Sequence, residues 1–447
     1  MGRYHSKASS FMSHPSHRAA SRLRTVAFSS LANLALPLTT IITGPLLART
    51  LGPEGRGLMA ALYAPLAFAN LMFTLGLPDA LTYFLARGSL PTQKALRIVI
   101  AGGLLCGSLA CVTLWLSAPR LYQNQTQQIN SFGWLLLSLP VTLALSSVRG
   151  ILQGRQQFGL IIKERLAGAL LRLLVLAVMA AMKVLTPLDA VWVAVGSQIM
   201  GSLYLLKGLG QHPAANLSDT RTWLVARYAG AAALGTVGSL LVIRLDQVLM
   251  VFLTSQAELA YYAVAVSMAE LPLTVVGASR DLAFSLTAER GDPQIVARFC
   301  RLTLLASGLM CLLGAVATPF AFPLLFGKLF SPAVPMMEIL LAGTLGRAVT
   351  TVIGAGLMTV GHSWVRSAIQ IGGALFTAAL LFVLVPRWGG IGSSWVTSLT
   401  FAVMAFASIL VYAKATGLTF SQCLVPTASD ANYIRSAVKA NWERSIQ

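Results

Sequence analysis

The chain has 447 residues, of which 56% are hydrophobic and only 11% charged, with a mean hydropathy of +0.73 and a formal net charge of +19. Soluble domains carry about a quarter of their residues charged, so this composition excludes that class and places the chain in a membrane. The basic residues lie in short clusters between apolar runs, which reads as topology rather than a nucleic-acid surface.

A bilayer core of about 30 Å takes about 20 helical residues. Residues 1-24 form a polar, basic tail, and the apolar run after them is too long for a signal-peptide core, so 25-48 reads as an uncleaved first span. Further spans are expected at 58-86, 95-117, 131-152, 165-183 and 188-207. After a linker at 208-222 a second six follows at 223-245, 259-280, 300-325, 333-357, 365-385 and 391-413. The expected fold is thus all-α and polytopic: twelve transmembrane helices in an N-lobe, 25-207, and a C-lobe, 223-413. The tail, 414-447, places Ile434, Val438, Trp442 and Ile446 every four residues among Arg435, Lys439 and Arg444. That pattern suits either a helix lying on the inner membrane surface or a plain solvated tail.

Between the first two spans stands ARTLGPEGRG, Ala48 to Gly57. It lacks the lysine-hydroxyl ending of a nucleotide phosphate loop and reads as a tight outer turn. Arg49 and Arg56 then face outward, placed for lipid phosphates or an arriving headgroup. With the N-terminus inside, 24 of the 33 lysines and arginines fall on the inner side, seven outside and two, Arg172 and Arg347, within spans. One mistaken span would invert every later loop, so the asymmetry supports both count and orientation, with both termini cytoplasmic.

The two halves resemble one another at an offset of about 200 residues: PDALTYFLARG at Pro78 to Gly88 echoes RDLAFSLTAERG at Arg280 to Gly291. Six spans per half give both lobes the same sense, so their pseudo-twofold axis runs along the membrane normal, an arrangement that usually holds a site between rocking lobes.

A charge at mid-bilayer costs roughly 2.5 to 3.5 kcal/mol on insertion scales, so each one marks a candidate site. Glu270, Arg347 and Arg172 lie inside expected spans, Asp79 follows the helix break LGLP, and Arg244 with Asp246 marks the outer end of the seventh span. Arg244, Arg347, Arg172, Arg49 and Arg56 are candidates for an anionic headgroup; Glu270, Asp79 and Asp246 are candidates for ion coupling or gating. The competing reading makes Glu270–Arg347 and Arg244–Asp246 structural pairs. No nucleotide, metalloprotease or nucleophile-elbow motif occurs, no metal-type cysteine pair, and no extramembrane loop beyond about 25 residues, so no cofactor, metal or enzymatic activity is expected.

Four stretches carry a family resemblance: LLARTLGPEGRGLMA at Leu46 to Ala60, RLDQVLMVFLTSQAELAYYAVAVSMAE at Arg244 to Glu270, LLFGKLFSPAVPMMEILLAG at Leu324 to Gly343, and LVPRWGGIGSSW at Leu384 to Trp395. The chain resembles the bacterial polysaccharide and O-antigen flippases, within the superfamily of the multidrug and toxin extrusion transporters and the lipid II flippases. The resemblance implies translocation of undecaprenyl-diphosphate-linked oligosaccharide from the cytoplasmic to the periplasmic leaflet of the inner membrane, for lipopolysaccharide O-antigen or exopolysaccharide. It also implies membrane lipids and polysaccharide polymerase and glycosyltransferase machinery as partners. The first span carries no arginine, unlike the lipid II flippases, which argues against the peptidoglycan precursor. The alternative on the same architecture is a cation-coupled multidrug exporter, which would need an acidic, aromatic cavity. An enzyme such as a polysaccharide polymerase would need a long outer loop or an acidic metal motif, and the sequence has neither.

Overall fold

The computed structural model describes residues 15–74, 76–122, 125–209, 221–427 and 430, with side chains from residue 39 onward except at a few positions in the seventh and eighth spans. The tail pattern from Ile434 to Ile446 and most of the linker lie outside the described residues.

Among the described residues every regular element is a helix. The first two spans share Pro15–Phe73, divided at Gly52, whose φ of 67° is left-handed and favours glycine. Pro53 then opens the second helix, where its missing N–H has no partner to lose. The second span breaks again at Gly76 and resumes as Leu77–Ala86. Thr92–Leu121 is the third span, Thr126–Leu136 with Leu139–Gly154 the fourth, Phe158–Ala181 the fifth and Pro187–Leu203 the sixth. The C-lobe continues with Thr222–Leu253, then Gln256–Ala269 with Leu273–Arg290, then Gln294–Phe326 and Ala333–Thr359. Ser363–Thr416 supplies the last two spans, divided at Gly389 (φ 54°).

Length and apolarity alone pick out 7 of these helices as able to cross a membrane, or 8 with the bent eighth span. Two of the seven hold two spans each; the fifth span, of 24 residues, is long enough but carries Lys163, Glu164, Arg165 and Arg172, and the seventh, of 32 residues, is also long enough to cross. The total is twelve, in two six-helix lobes related by a pseudo-twofold along the membrane normal. The repeat shows in the second and eighth spans, each of which is broken within its length: the second about two-thirds of the way along at Gly76, and the eighth near its middle, where it bends by 46° at Glu270–Pro272 and Pro272 offers no N–H.

One face of the bundle carries the basic helix ends and the other few charges. On the sparsely charged face the lobes are closed against each other. A single buried cluster joins Leu47, Met59 and Leu66 of the N-lobe to Leu259, Tyr262, Phe326 and Phe330 of the C-lobe. Lipid is as apolar as leucine, so close packing rather than the hydrophobic effect holds this seal. Gly57 shows how close the packing is: a Cβ there would lie 1.8 Å from the carbonyl oxygen of Gln256 across the lobe boundary. Beside it Arg49, on the first span, donates to the carbonyls of Leu325 (2.8 Å) and Leu324 at the end of the ninth. A cation on the orphan carbonyls of a helix C-terminus is favourable on both hydrogen-bond and dipole grounds. Toward the basic face the lobes touch where Tyr83 stacks on Tyr228 at 4.5 Å and Phe84 meets the same ring edge-on.

The expected turn at Ala48 to Gly57 is therefore shorter than its composition implied. Only Gly52 leaves helical geometry, so Arg56 stands one turn inside the second span. The seventh span likewise runs to Leu253, which brings Arg244 inside the membrane too. Arg49, Arg120, Lys183, Lys328 and Arg387 remain on the sparsely charged face, and the charge asymmetry sharpens.

Candidate functional site

Beneath the seal lies a cavity of about 680 Å³ between the lobes, lined by the first two, fourth to eighth and tenth spans. Among the described residues four arginines reach it, Arg56 and Arg172 from the N-lobe and Arg244 and Arg347 from the C-lobe, against one carboxylate, Glu270. Its lining is thus net positive by three charges.

Glu270 is presented by the break in the eighth span, as the residue that caps Gln256–Ala269. Its Oε1 accepts from Arg347 Nη1 at 2.9 Å, and its Oε2 lies 3.5 Å from Arg244 Nη2. Arg347 also rests over the Phe401 ring, 5.4 Å from its centre. One carboxylate thus holds two arginines, each with donors left for a further anion.

The expected pair of Glu270 with Arg347 is formed, whereas Arg244 pairs with Glu270 and not with Asp246. The reason is helical phase: residues two apart point about 200° away from each other. Asp246 turns into the C-lobe, 3% exposed, where it accepts from Tyr262 Oη and from the Gln247 N–H (2.7 Å), with Thr397 Oγ1 at 3.5 Å.

Arg56 and Arg172 form the second group. Both also line a cleft of about 30 Å³ that rises from the cavity toward Phe326 and the seal. Among the described residues the Nε atoms of both are buried with no hydrogen-bond partner, and Arg56 Nη1 meets the Met59 sulfur at 3.5 Å. A buried donor without an acceptor costs about 1–3 kcal/mol, which an anionic ligand would recover. Arg49 lies apart from the cavity on the lobe seam, and Asp79 is exposed in the first turn of Leu77–Ala86, where its charge suits the helix N-terminus.

The lining also includes Asn70, Gln198, Gln247 and Tyr63, which sequence reasoning passed over. Asn70 and Gln198 did leave a signal, as amides inside apolar runs such as VAVGSQIMG. Such groups donate and accept, the pairing that sugar hydroxyls require.

A family model described as "Polysaccharide biosynthesis protein" matches residues 23–283, more than half of the chain. The chain belongs to the polysaccharide biosynthesis protein family. No curated protein matches it. Among solved structures this family member is similar to the lipid II flippase MurJ in an inward closed conformation, with 11% identity over 87% of this chain and 89% of that one and a TM-score of 0.72. It is also similar to a multidrug resistance MATE family transporter of the MOP superfamily in an inward-facing conformation, with 13% identity over 87% and 98% and a TM-score of 0.67. An outward-facing MATE structure matches at 13% identity over 87% and 96%, with a TM-score of 0.58. This family member thus has the fold of flippases and exporters, with its lobes closed on the sparsely charged face.

Proposed function

We propose that this member of the family flips undecaprenyl-diphosphate-linked oligosaccharide repeat units from the cytoplasmic to the periplasmic leaflet of the bacterial inner membrane by alternating access. The observation that carries the reading is the cavity of four arginines around one glutamate. A diphosphate brings two or more negative charges, and arginine's planar fork matches phosphate oxygens two at a time. An organic cation would meet net repulsion there, which disfavours the multidrug alternative.

The basic face is assigned to the cytoplasm by the positive-inside rule. In this state the seal closes the periplasmic side and the headgroup arrives from the cytoplasm. Glu270 serves as internal counter-ion, holding Arg244 and Arg347 until phosphate replaces it as their partner. Arg56 and Arg172, deeper and unpaired, hold the diphosphate next, and Arg49 gates the periplasmic seam. Asp246, off the cavity with no cation on it among the described residues, is the coupling candidate, and Asp79 a gating candidate at the second break. A glycosyltransferase must build such a substrate and a polymerase or ligase must consume it; these are the partners implied for surface polysaccharide.

The test is genetic: deletion of the gene, followed by extraction of lipid-linked intermediates. Accumulation of the repeat unit on its lipid carrier, with loss of surface polysaccharide, is expected. Normal surface polysaccharide in the deletion strain would sink the reading.

A further inference from the structure

A second cavity, of about 260 Å³, lies inside the C-lobe and has no part in the reading above. The seventh, eighth, tenth, eleventh and twelfth spans enclose it, and Arg280, Arg347, Arg366, Gln370, Ser239 and Thr351 supply its polar lining. Arg347 and Leu273 line this cavity and the central one alike, so they form a shared wall between the two. Arg280 and Arg366 lie toward the basic face: Arg280 is 45% exposed on the inner half of the eighth span, and Arg366 is in the first turn of the eleventh.

Three arginines around so small a space repel one another unless an anion joins them. Among the described residues the only carboxylate in ion-pair range of Arg280 is its neighbour Asp281, at 3.7 Å and 72% exposed, and none lies in range of Arg366. Glu270 reaches Arg347 from the far side of the wall and does not line this cavity. The packing also makes room for the cation. A Cβ at Gly354 would lie 3.2 Å from Arg366 Nε and 3.4 Å from its Cδ, so glycine lets the Arg366 side chain lie flat on the tenth span. The volume equals that of about nine liquid waters, enough for one or two hydrated oxyanion groups and too small for an oligosaccharide.

We propose that this C-lobe chamber is a second oxyanion site, which takes a phosphate group on the cytoplasmic side and passes it by way of Arg347 into the central cavity. It rests on the reading of the central cavity as the path of an anionic headgroup. Arg280 attracts the group at the mouth, Arg366 and Gln370 bind it, and Arg347 exchanges Glu270 for it at the wall. The phosphate can belong to the isoprenoid diphosphate or to an anionic phospholipid of the inner leaflet; both present the same oxygens.

The test uses the full chain in phosphatidylcholine nanodiscs, titrated calorimetrically with geranyl diphosphate, a short water-soluble isoprenoid diphosphate. Two sites per chain are expected. Arg280→Gln/Arg366→Gln should remove one and leave the other, and Arg56→Gln/Arg172→Gln should do the reverse. Arg280→Gln alone, at an exposed position that folding tolerates, should weaken the C-lobe site about tenfold, the loss of one charge-assisted hydrogen bond. Repeating the titration in discs containing phosphatidylglycerol identifies the source: a C-lobe site already filled there belongs to membrane lipid, and one still open belongs to the isoprenoid diphosphate. Two unaltered sites in Arg280→Gln/Arg366→Gln, or a single wild-type site lost only in Arg56→Gln/Arg172→Gln, would overturn the proposal. Those results leave the central flippase reading standing, whereas two-site binding without movement of lipid-linked oligosaccharide would remove that reading and keep the chamber.

Discussion

Substituting Glu270 by glutamine separates the charge of the central triad from its shape. In the native protein the carboxylate holds Arg347 at 2.9 Å and Arg244 at 3.5 Å, and the side chains are 21 to 34% exposed. Exposed pairs contribute about 0–1 kcal/mol and breaking a fully buried one costs about 3–5, so a coupling of about 2 kcal/mol between Glu270 and Arg347 follows for this half-wet geometry. A double-mutant cycle on Glu270→Gln and Arg347→Gln, read by denaturant unfolding in detergent, measures it. The same change raises the positive charge of the cavity by one. At an effective dielectric of about 20 and a distance of about 7 Å a unit charge is worth about 2 kcal/mol, and cavity water halves this to about 1. Glu270→Gln should therefore bind geranyl diphosphate about fivefold more tightly while being less stable without it. Coupling below about 0.5 kcal/mol, or an unchanged diphosphate affinity, would refute the idea that Glu270 is a displaceable counter-ion.

Arg49→Ala removes the donor to two carbonyls across the lobe seam on the sparsely charged face and should raise the population open to that face about tenfold, read as the alkylation rate of a cysteine placed on the seam; an unchanged rate counts against the latch. Gly57→Ala forces a methyl against the Gln256 carbonyl and should open the same seam or lower stability by about 1–3 kcal/mol, with native stability and closed-state accessibility as the contrary result. The C-terminal segment is clasped to the ninth span by Asp430, which accepts from Arg301 Nε at 2.6 Å and Nη2 at 2.8 Å and from the Thr427 N–H and hydroxyl at 2.9 Å. Hydrogen bonds from Arg301 hold the Asp430 carboxyl well below the usual carboxylate range, so the clasp is fully present above the unfolded value of about 3.9 and lost only as pH falls through the lower folded value. Proteolysis of the tail should then be slow and flat from neutral pH down to about 5 in the native chain and fast throughout in Asp430→Asn; a step near pH 6 would contradict it.

Much of the architecture was legible because the bilayer fixes the length of a span and the charge asymmetry checks the count. The breaks at Gly76 and Pro272 could be read from residues that cannot continue a helix. The helix ends were less legible where glycine and proline pointed two ways. Composition made Ala48 to Gly57 a loop, but a proline just after a kink starts a helix, and that displaced Arg56 from the surface to the cavity. Pairing was hardest to read: Glu270 and Arg347 are 77 residues apart, and only packing shows which cations share a carboxylate. Arg244 and Asp246 could have been separated beforehand, since helical phase forbids two residues at that spacing from facing one site. The C-lobe chamber left no sequence signal at all, because its arginines lie on three spans and two of them read as ordinary cytoplasmic topology charges.

The central claim is that this protein moves an anionic, lipid-linked headgroup across the bilayer. The most direct measurement reconstitutes the purified chain in vesicles with a fluorescent diphosphate-linked oligosaccharide lipid and follows its protection from a membrane-impermeant quencher. Wild-type protein should move the lipid between leaflets well above the rate in empty vesicles, and Arg56→Gln/Arg172→Gln should return that rate to background while still inserting and folding. Equal rates in empty and protein-containing vesicles, or movement that survives loss of both arginines, would contradict the account.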